Sequence, residues 1–247
     1  MKWFFKTVLS KYTKILTQSV IDNQKLISIG ASKDKTFVMK NLKFDIKKSD
    51  EIVEIGQNGY RVIIAGSTHK GEDEIILKIF AQIKEKYNDI KLLLVPRHLN
   101  RIPQIMPIIE HLNLNYGLRS KDDVFTQKDV IILDTMGELS KMYSICHFAF
   151  IGGSFNKTGG HNPLEATVYS KPTITGPSIH NFRDIYWLLS QSNAGKIVKS
   201  PKELEEYIDK LLSDNDFYNC ACKDCEKIFQ DQQGALDVVI DELKKVL

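Results

Sequence analysis

Four apolar runs, RVIIAG at 61–66, IKLLLVP at 90–96, DVIILD at 129–134 and HFAFIGG at 147–153, constrain this chain more than any other feature. Each is too short for a helix and apolar at nearly every position. A strand wetted on one face would alternate apolar with polar residues, so these runs predict strands buried on both faces. Between them lie amphipathic stretches of helical period. EDEIILKIFAQIKEKY (72–87) is the clearest, followed by IPQIMPIIEHL, which Pro107 is expected to interrupt, and by a helix over 136–144. KPTIT, a helix around 181–191 and GKIV continue the alternation, and the last 45 residues read as helices. Five to six such repeats predict a doubly wound α/β domain around a parallel sheet. Ligands of that fold bind outside the carboxyl ends of the strands, so the loops there are where function is sought.

The first 48 residues differ from the rest. They hold eleven Lys and three Asp, a net +8, and the whole chain carries +3, which leaves −5 on the remainder. In MKWFFKTVLSKYTKILTQ, residues Phe4, Phe5, Val8, Leu9, Tyr12, Ile15 and Leu16 share one arc of a helical wheel, with Lys2, Lys6, Lys11 and Lys14 outside it. This predicts a basic amphipathic helix whose apolar face meets either protein or an anionic bilayer. LISIG and TFVM are expected as short strands. The expected division is therefore 1–48 as a basic helix and connecting segment, and 49–247 as the sheet domain. No apolar run reaches the roughly 18 residues a membrane helix needs. No secretory signal pattern and no nucleic-acid-binding signature are present. Cys220, Cys222 and Cys225 crowd into CACKDC, but on a helix this spacing does not converge on one metal, so reduced thiols and no metal site are expected.

Four strand-end loops carry the candidate chemistry. AGSTHKGEDE (65–74) pairs tight-turn glycines with an acidic helix start, which is either an anion site at free N–H groups or a simple capped turn. VPRHLNR (95–101) ends its strand at Pro96 and presents Arg97 at the tip, suited to a phosphate or to an ion pair with a neighbouring loop. In LDTMGELSKMY (133–143), Asp134 and Thr135 are expected to cap the next helix. Met136 and Gly137 would bring backbone near a flat ligand, and Glu138 would sit in the first helical turn, where the dipole favours it. The densest loop is GGSFNKTGGHNPLEA (152–166). Gly152, Gly153, Gly159 and Gly160 permit close backbone approach. Asn162 suits an N-cap and Pro163 the first helical position. Glu165 then lies in the first turn, where a carboxylate can accept both hydroxyls of a ribose. TGPSIHNFRD (175–184) closes a further strand.

GSTHKGEDE, LLLVPRH, DTMGEL, GGSFNKTGGHNPLEA and GPSIHNF occur in one order. That series resembles the 3-deoxy-D-manno-octulosonic acid (Kdo) transferases, and the resemblance covers essentially the whole chain. It implies the C-terminal, Rossmann-like donor domain of a GT-B glycosyltransferase, which moves Kdo from CMP-Kdo to a lipid A precursor in lipopolysaccharide synthesis. The family's donor contacts map onto Pro96, Arg97, Met136, Gly137, Glu138, Asn162, Pro163, Leu164 and Glu165. Arg97 would meet the departing phosphate, the 136–138 loop the cytosine and Glu165 the ribose. The resemblance also implies no cofactor, and work at the cytoplasmic face of the inner membrane. In the family the general base, the lipid-binding surface and the membrane anchor lie in an N-terminal domain. This chain is expected to begin about where that domain ends, so no catalytic base maps onto it. The sequence leaves open a transferase completed by a partner chain, a CMP-sugar-binding module and a residual domain. A nucleotide-sugar epimerase is disfavoured by DTMGEL and PRH in this order.

Overall fold

The computed structural model describes residues 2–245. It divides into two compact units, one of residues 1–47 with 228–247, the other of residues 48–227.

The smaller unit contains α1 (Lys2–Leu9), β1 (Ile15–Thr17), α2 (Val20–Ser28) and β2 (Thr36–Val38), together with a C-terminal helix, Ala235–Lys244. The helix expected over the first 18 residues stops at Leu9. Ile15–Thr17 instead pairs in parallel with Thr36–Val38. Ile15 and Thr17 are β-branched, and ladder bonds to the available strand at 36–38 outweigh helical periodicity. LISIG is likewise not a strand, because Ser19 Oγ accepts from Asp22 N–H (3.0 Å) and caps a helix running through Ser28. TFVM is β2, as expected. Asp45 accepts from the N–H groups of Gly234 (2.7 Å) and Leu236 (2.6 Å) and so holds the start of the C-terminal helix. On α1 the apolar face is open in this unit, with Trp3 81% and Phe4 60% exposed. Among the described residues no helix is long and apolar enough to cross a membrane.

The larger unit is built on seven parallel strands. They are β3 (Arg61–Thr68), β4 (Ile90–Pro96), β5 (Tyr116–Leu118), β6 (Val130–Ile132), β7 (Cys146–Ile151), β8 (Thr173–Thr175) and β9 (Gly195–Ile197), in spatial order β5-β6-β4-β3-β7-β8-β9. The helices are α3 (Glu72–Lys86), α4 (Ile102–His111), α5 (Leu139–Met142), α6 (Leu164–Thr167), α7 (Arg183–Ser190), α8 (Pro201–Ser213) and α9 (Asn215–Gln232), whose residues from 228 on belong to the smaller unit. The strands are apolar on both faces because both faces are covered. Ile63, Leu92, Leu94, Phe148 and Phe150 pack with α3, α4 and α8, while Val62, Ile64, Leu93, Val95 and Ile151 join a second cluster with Met142 and Tyr143. Burial of each such side chain contributes about 1.5–3 kcal/mol. The doubly wound sheet expected from the sequence is present.

Two local differences have physical causes. α4 is continuous through Pro107, with Ile105 and Ile109 buried on either side of it. The proline removes one hydrogen bond, and the packed isoleucines keep the helix on the sheet. The short strand β5 escapes the sequence pattern because glycine occupies its centre. A Cβ at Gly117 would lie 2.5 Å from the side chain of Asp123, whose carboxylate accepts from Leu118 N–H at 2.8 Å.

His147, at the start of β7, stacks on Tyr218 with ring centroids 3.7 Å apart. Burial, reinforced by the Arg61 and Lys171 charges, lowers its pKa from 6.5 to about 4. From pH 6.5 down to about 4 the unfolded chain binds the proton that the folded chain refuses, so stability falls as pH falls across this window. We expect His147→Gln to remove on the order of 2 kcal/mol of that acid sensitivity. Urea unfolding at pH 7 and pH 4.5 measures it, and equal pH slopes for variant and parent would refute the assignment.

Candidate donor site at the strand ends

The chain leaves β3 toward β4 on one side of the sheet and returns at β7 on the other. The ends of β3 and β7 therefore flank the point where strand order reverses, the usual ligand crevice of such a sheet. A bulge between Gly66 and Thr68, with Ser67 at φ 55°, turns β3 outward there. Four segments meet at this edge: 67–73 after β3, 96–101 after β4, 134–138 after β6 and 152–165 after β7.

The glycine-rich loop is organised by a residue that the sequence reading did not single out. Glu72, buried at the start of α3, accepts four backbone N–H bonds, from His69 (2.8 Å), Gly153 (2.7 Å), Ser154 (2.8 Å) and Phe155 (2.8 Å). A concave run of backbone N–H groups is a typical anion nest, and here the protein's own carboxylate fills it. The glycines serve the same closure. A Cβ on Gly152 would fall 2.4 Å from Ser67 O, and Gly153 (φ 71°) packs against the ring of His161. The loop then closes through Gly160 N–H to Gly153 O (2.8 Å) and His161 N–H to Gly152 O (3.1 Å). Its close approaches are to protein, not to open space. The alternative of an anion at the α3 N-terminus loses ground for the same reason. Glu72, Asp73 and Glu74 all stand in that first turn, and negative charge repels an anion. The local signal was an acid three residues after His69, the spacing at which a side chain can reach back to a backbone N–H. Its long-range partners could not be read from it.

Asp73 is also committed. It accepts from Thr68 Oγ1 (2.6 Å) and pairs with Arg101. Arg97 differs: its N–H is fixed to Thr68 O (2.9 Å), but its side chain is exposed and makes no ion pair among the described residues. Of the two uses the sequence allowed for Arg97, the ion pair to a neighbouring loop is absent among those residues. The positive charge of Arg97 acts on His69, His161 and Glu165.

Asn162 Oδ1 accepts from Leu164 N–H (3.1 Å) and so caps the short α6. Glu165, in its first turn, is half-buried. Burial raises its pKa, and the Asn162 hydrogen bond and the Arg97 charge pull the other way. Pro163 and Leu164 are buried, as is Pro96 in β4, so only their main chains are near the edge. Met136 is 78% exposed, and a Cβ on Gly137 (φ 81°) would meet nothing within 4 Å. Glu138 immediately precedes α5. It accepts from Thr135 Oγ1 and lies 3.3 Å from Lys141, contacts that lower its pKa and keep it ionised. Asp134 does not cap α5, because Ser120 N–H and Oγ occupy its carboxylate at 2.8 and 2.5 Å. Glu138, Arg119, Lys141, Met142 and residues 52–54 line a cavity of about 420 Å³. Among the described residues no three His, Cys, Asp or Glu side chains are grouped to hold a metal.

Known proteins match this chain along its full length. Residues 1–46 match the family model described as 3-Deoxy-D-manno-octulosonic-acid transferase (kdotransferase). The curated 3-deoxy-D-manno-octulosonic acid transferase of Haemophilus influenzae is 32% identical over 100% of this chain and 60% of its own length. That of Aquifex aeolicus is 36% identical over 84% of this chain and 56% of its own. The chain thus spans a little over half the length of these relatives. Among solved structures, the C-terminal CMP-Kdo binding domain of WaaA from Acinetobacter baumannii superposes with TM-score 0.66 at 29% identity, over 70% of this chain and 91% of that domain. The parallel sheet of this chain, with helices on both faces, is the Rossmann-like sheet of a GT-B C-terminal domain, the class expected from the sequence. Sequence similarity to the 3-deoxy-D-manno-octulosonic acid transferases runs the length of the chain, and the sheet that carries the site shares the fold of the WaaA C-terminal CMP-Kdo binding domain.

Proposed function

We propose that this chain is the donor-binding part of a Kdo transferase and holds CMP-Kdo at the carboxyl ends of β3, β4, β6 and β7. The observation that carries the reading is Arg97, an exposed guanidinium with no ion pair among the described residues, anchored by its backbone at the switch point beside a half-buried Glu165. In this reading Arg97 takes the phosphate and offsets the charge that grows on it as CMP departs. Glu165 accepts the ribose hydroxyls. The open backbone at Met136 and Gly137 admits the flat base, and ionised Glu138 can accept from the exocyclic amine of cytosine. Asn162 holds α6 in place, while Pro96, Pro163 and Leu164 contribute backbone position only. No residue of the chain is assigned as the base that activates the acceptor hydroxyl. Transfer to a lipid A precursor at the cytoplasmic face of the inner membrane belongs to the same proposal, supported by the relatives' activity. The exposed aromatics of α1, set among lysines, suit either a bilayer surface or a protein partner.

Calorimetry of CMP binding to the purified chain tests the reading, with Glu165→Ala as control. We expect measurable binding that the substitution weakens by about 1–2 kcal/mol, the scale of charged hydrogen bonds lost to two hydroxyls. Because burial raises the Glu165 pKa, affinity should also fall as pH is lowered through that raised value, where the protonated carboxyl loses an acceptor. Binding that ignores Glu165 would separate the nucleotide from this edge.

A further inference from the structure

Three imidazoles, His69, His98 and His161, cluster at the strand ends, and the Arg97 charge acts on the His69–His161 pair. The rings of His69 and His161 stack 5.1 Å apart with their Nε2 atoms 2.8 Å from each other, and His98 meets His69 edge-on at 5.6 Å. His69 follows β3, His98 follows β4 and His161 closes the glycine loop after β7, so three strand ends deliver them to one place. The proposed contacts of phosphate, ribose and base use none of them. We propose that the His69–His161 pair is a second anion subsite that receives the carboxylate of the donor sugar, and that it selects a 2-ulosonic acid donor over an aldose donor. This rests on the CMP-Kdo reading above and deepens it.

The argument is one of matched charges. In a nucleotide-linked 2-ulosonic acid, the carboxylate and the phosphoester oxygen are bonded to the same anomeric carbon. Two anionic groups therefore arrive side by side, and a site with one cation leaves the second desolvated and unpaired. The carboxylates nearest Arg97 are already engaged by donors of the protein, which weakens their repulsion of an entering anion. Glu72 is spent on four backbone N–H groups, and Asp73 on Thr68 and Arg101. The charged and titratable groups facing the pair are Glu72 on α3, Arg97 and His98 after β4, and Arg101 beyond them. Without ligand, burial and the neighbouring positive charges lower both imidazole pKa values, that of His161 to about 4. At an Nε2–Nε2 distance of 2.8 Å one ring must donate and the other accept, so the facing nitrogens share one proton. A carboxylate entering beside them exchanges that bond for two N–H···O bonds. The pair then takes up a proton from solvent, and the new charge is paired as it forms. An aldose donor, with hydrogen in place of the carboxylate, gives the pair nothing to bind. His161 is held for this role by its own backbone, since Tyr186 Oη donates to His161 O at 2.6 Å.

The test compares CMP-Kdo with the methyl phosphodiester of CMP, which has the same phosphate charge and lacks the carboxylate. Calorimetry on the full chain at pH 7, in two buffers of different ionisation enthalpy, reads affinity and proton uptake together. We expect CMP-Kdo to bind with uptake approaching one proton, and the methyl diester with none. We expect His161→Gln and His69→Gln each to weaken CMP-Kdo about tenfold or more and to change the methyl diester less than about twofold. If a variant melts early, the proton count on the parent chain decides alone. Binding of CMP-Kdo without proton uptake, or variants that weaken both ligands equally, would overturn the carboxylate subsite and leave the donor site standing. If the parent chain binds neither CMP nor CMP-Kdo, both readings fall together.

Discussion

Glu72→Ala should lower the stability of the larger unit by about 3–5 kcal/mol. The side chain is almost wholly buried and is the acceptor for His69, Gly153, Ser154 and Phe155. A buried donor left without a partner costs about 1–3 kcal/mol, and entry of water into the vacated space recovers part of four such losses. Glu72→Gln should be nearly as costly. A carboxamide offers one oxygen, so its NH₂ would face two of the four N–H donors. Urea unfolding gives the free energy, and for a unit of this size the melting temperature should fall by about 10 °C. A loss below about 1 kcal/mol for the alanine variant would show that the glycine loop is held by other means.

Arg97→Ala should leave stability unchanged and weaken CMP binding by about 1.5–3 kcal/mol, a fall of roughly 10- to 150-fold. The two readouts separate because the side chain is exposed and unpaired among the described residues, whereas its backbone N–H to Thr68 O survives the change. Arg97→Lys should recover only part of the affinity, since an ammonium cannot present two parallel donors to a phosphate. Higher salt should narrow the gap between parent and variant, because the site is open to counterions. Equal affinities for CMP would remove Arg97 from the phosphate and take the central observation of the proposed function with it.

The elements that sequence reading located best share one physical property: their pattern is set by their own burial. β3, β4, β6 and β7 are apolar because both faces of the sheet are covered, and α3 is amphipathic because one face is not. The place of Arg97 at a strand tip and of Glu165 in the helix start after β7 followed from those runs and from where such a fold binds its ligands. Elements whose state depends on a distant partner were misread. Residues 15–17 carry helical periodicity but pair with 36–38. β5, three residues with a central glycine, exists because β6 offers it a ladder.

The candidate site divides along the same line. The order of the motifs, the exposed arginine at a strand tip, the Asn162 cap and the acid in the first turn of α6 are local chemistry, and the sequence alone determined them. The filling of the glycine-loop nest by Glu72, the 2.8 Å approach of His69 to His161 and the freedom of Arg97 from any ion pair among the described residues were decided only by the tertiary structure. Glu72 lies 81 residues before the Gly153 N–H it accepts from, and His69 lies 92 before His161. No local propensity or spacing encodes such pairs. They form because the parallel sheet sets β3 beside β7 and brings both loops to one edge, where buried donors must find acceptors or pay their desolvation.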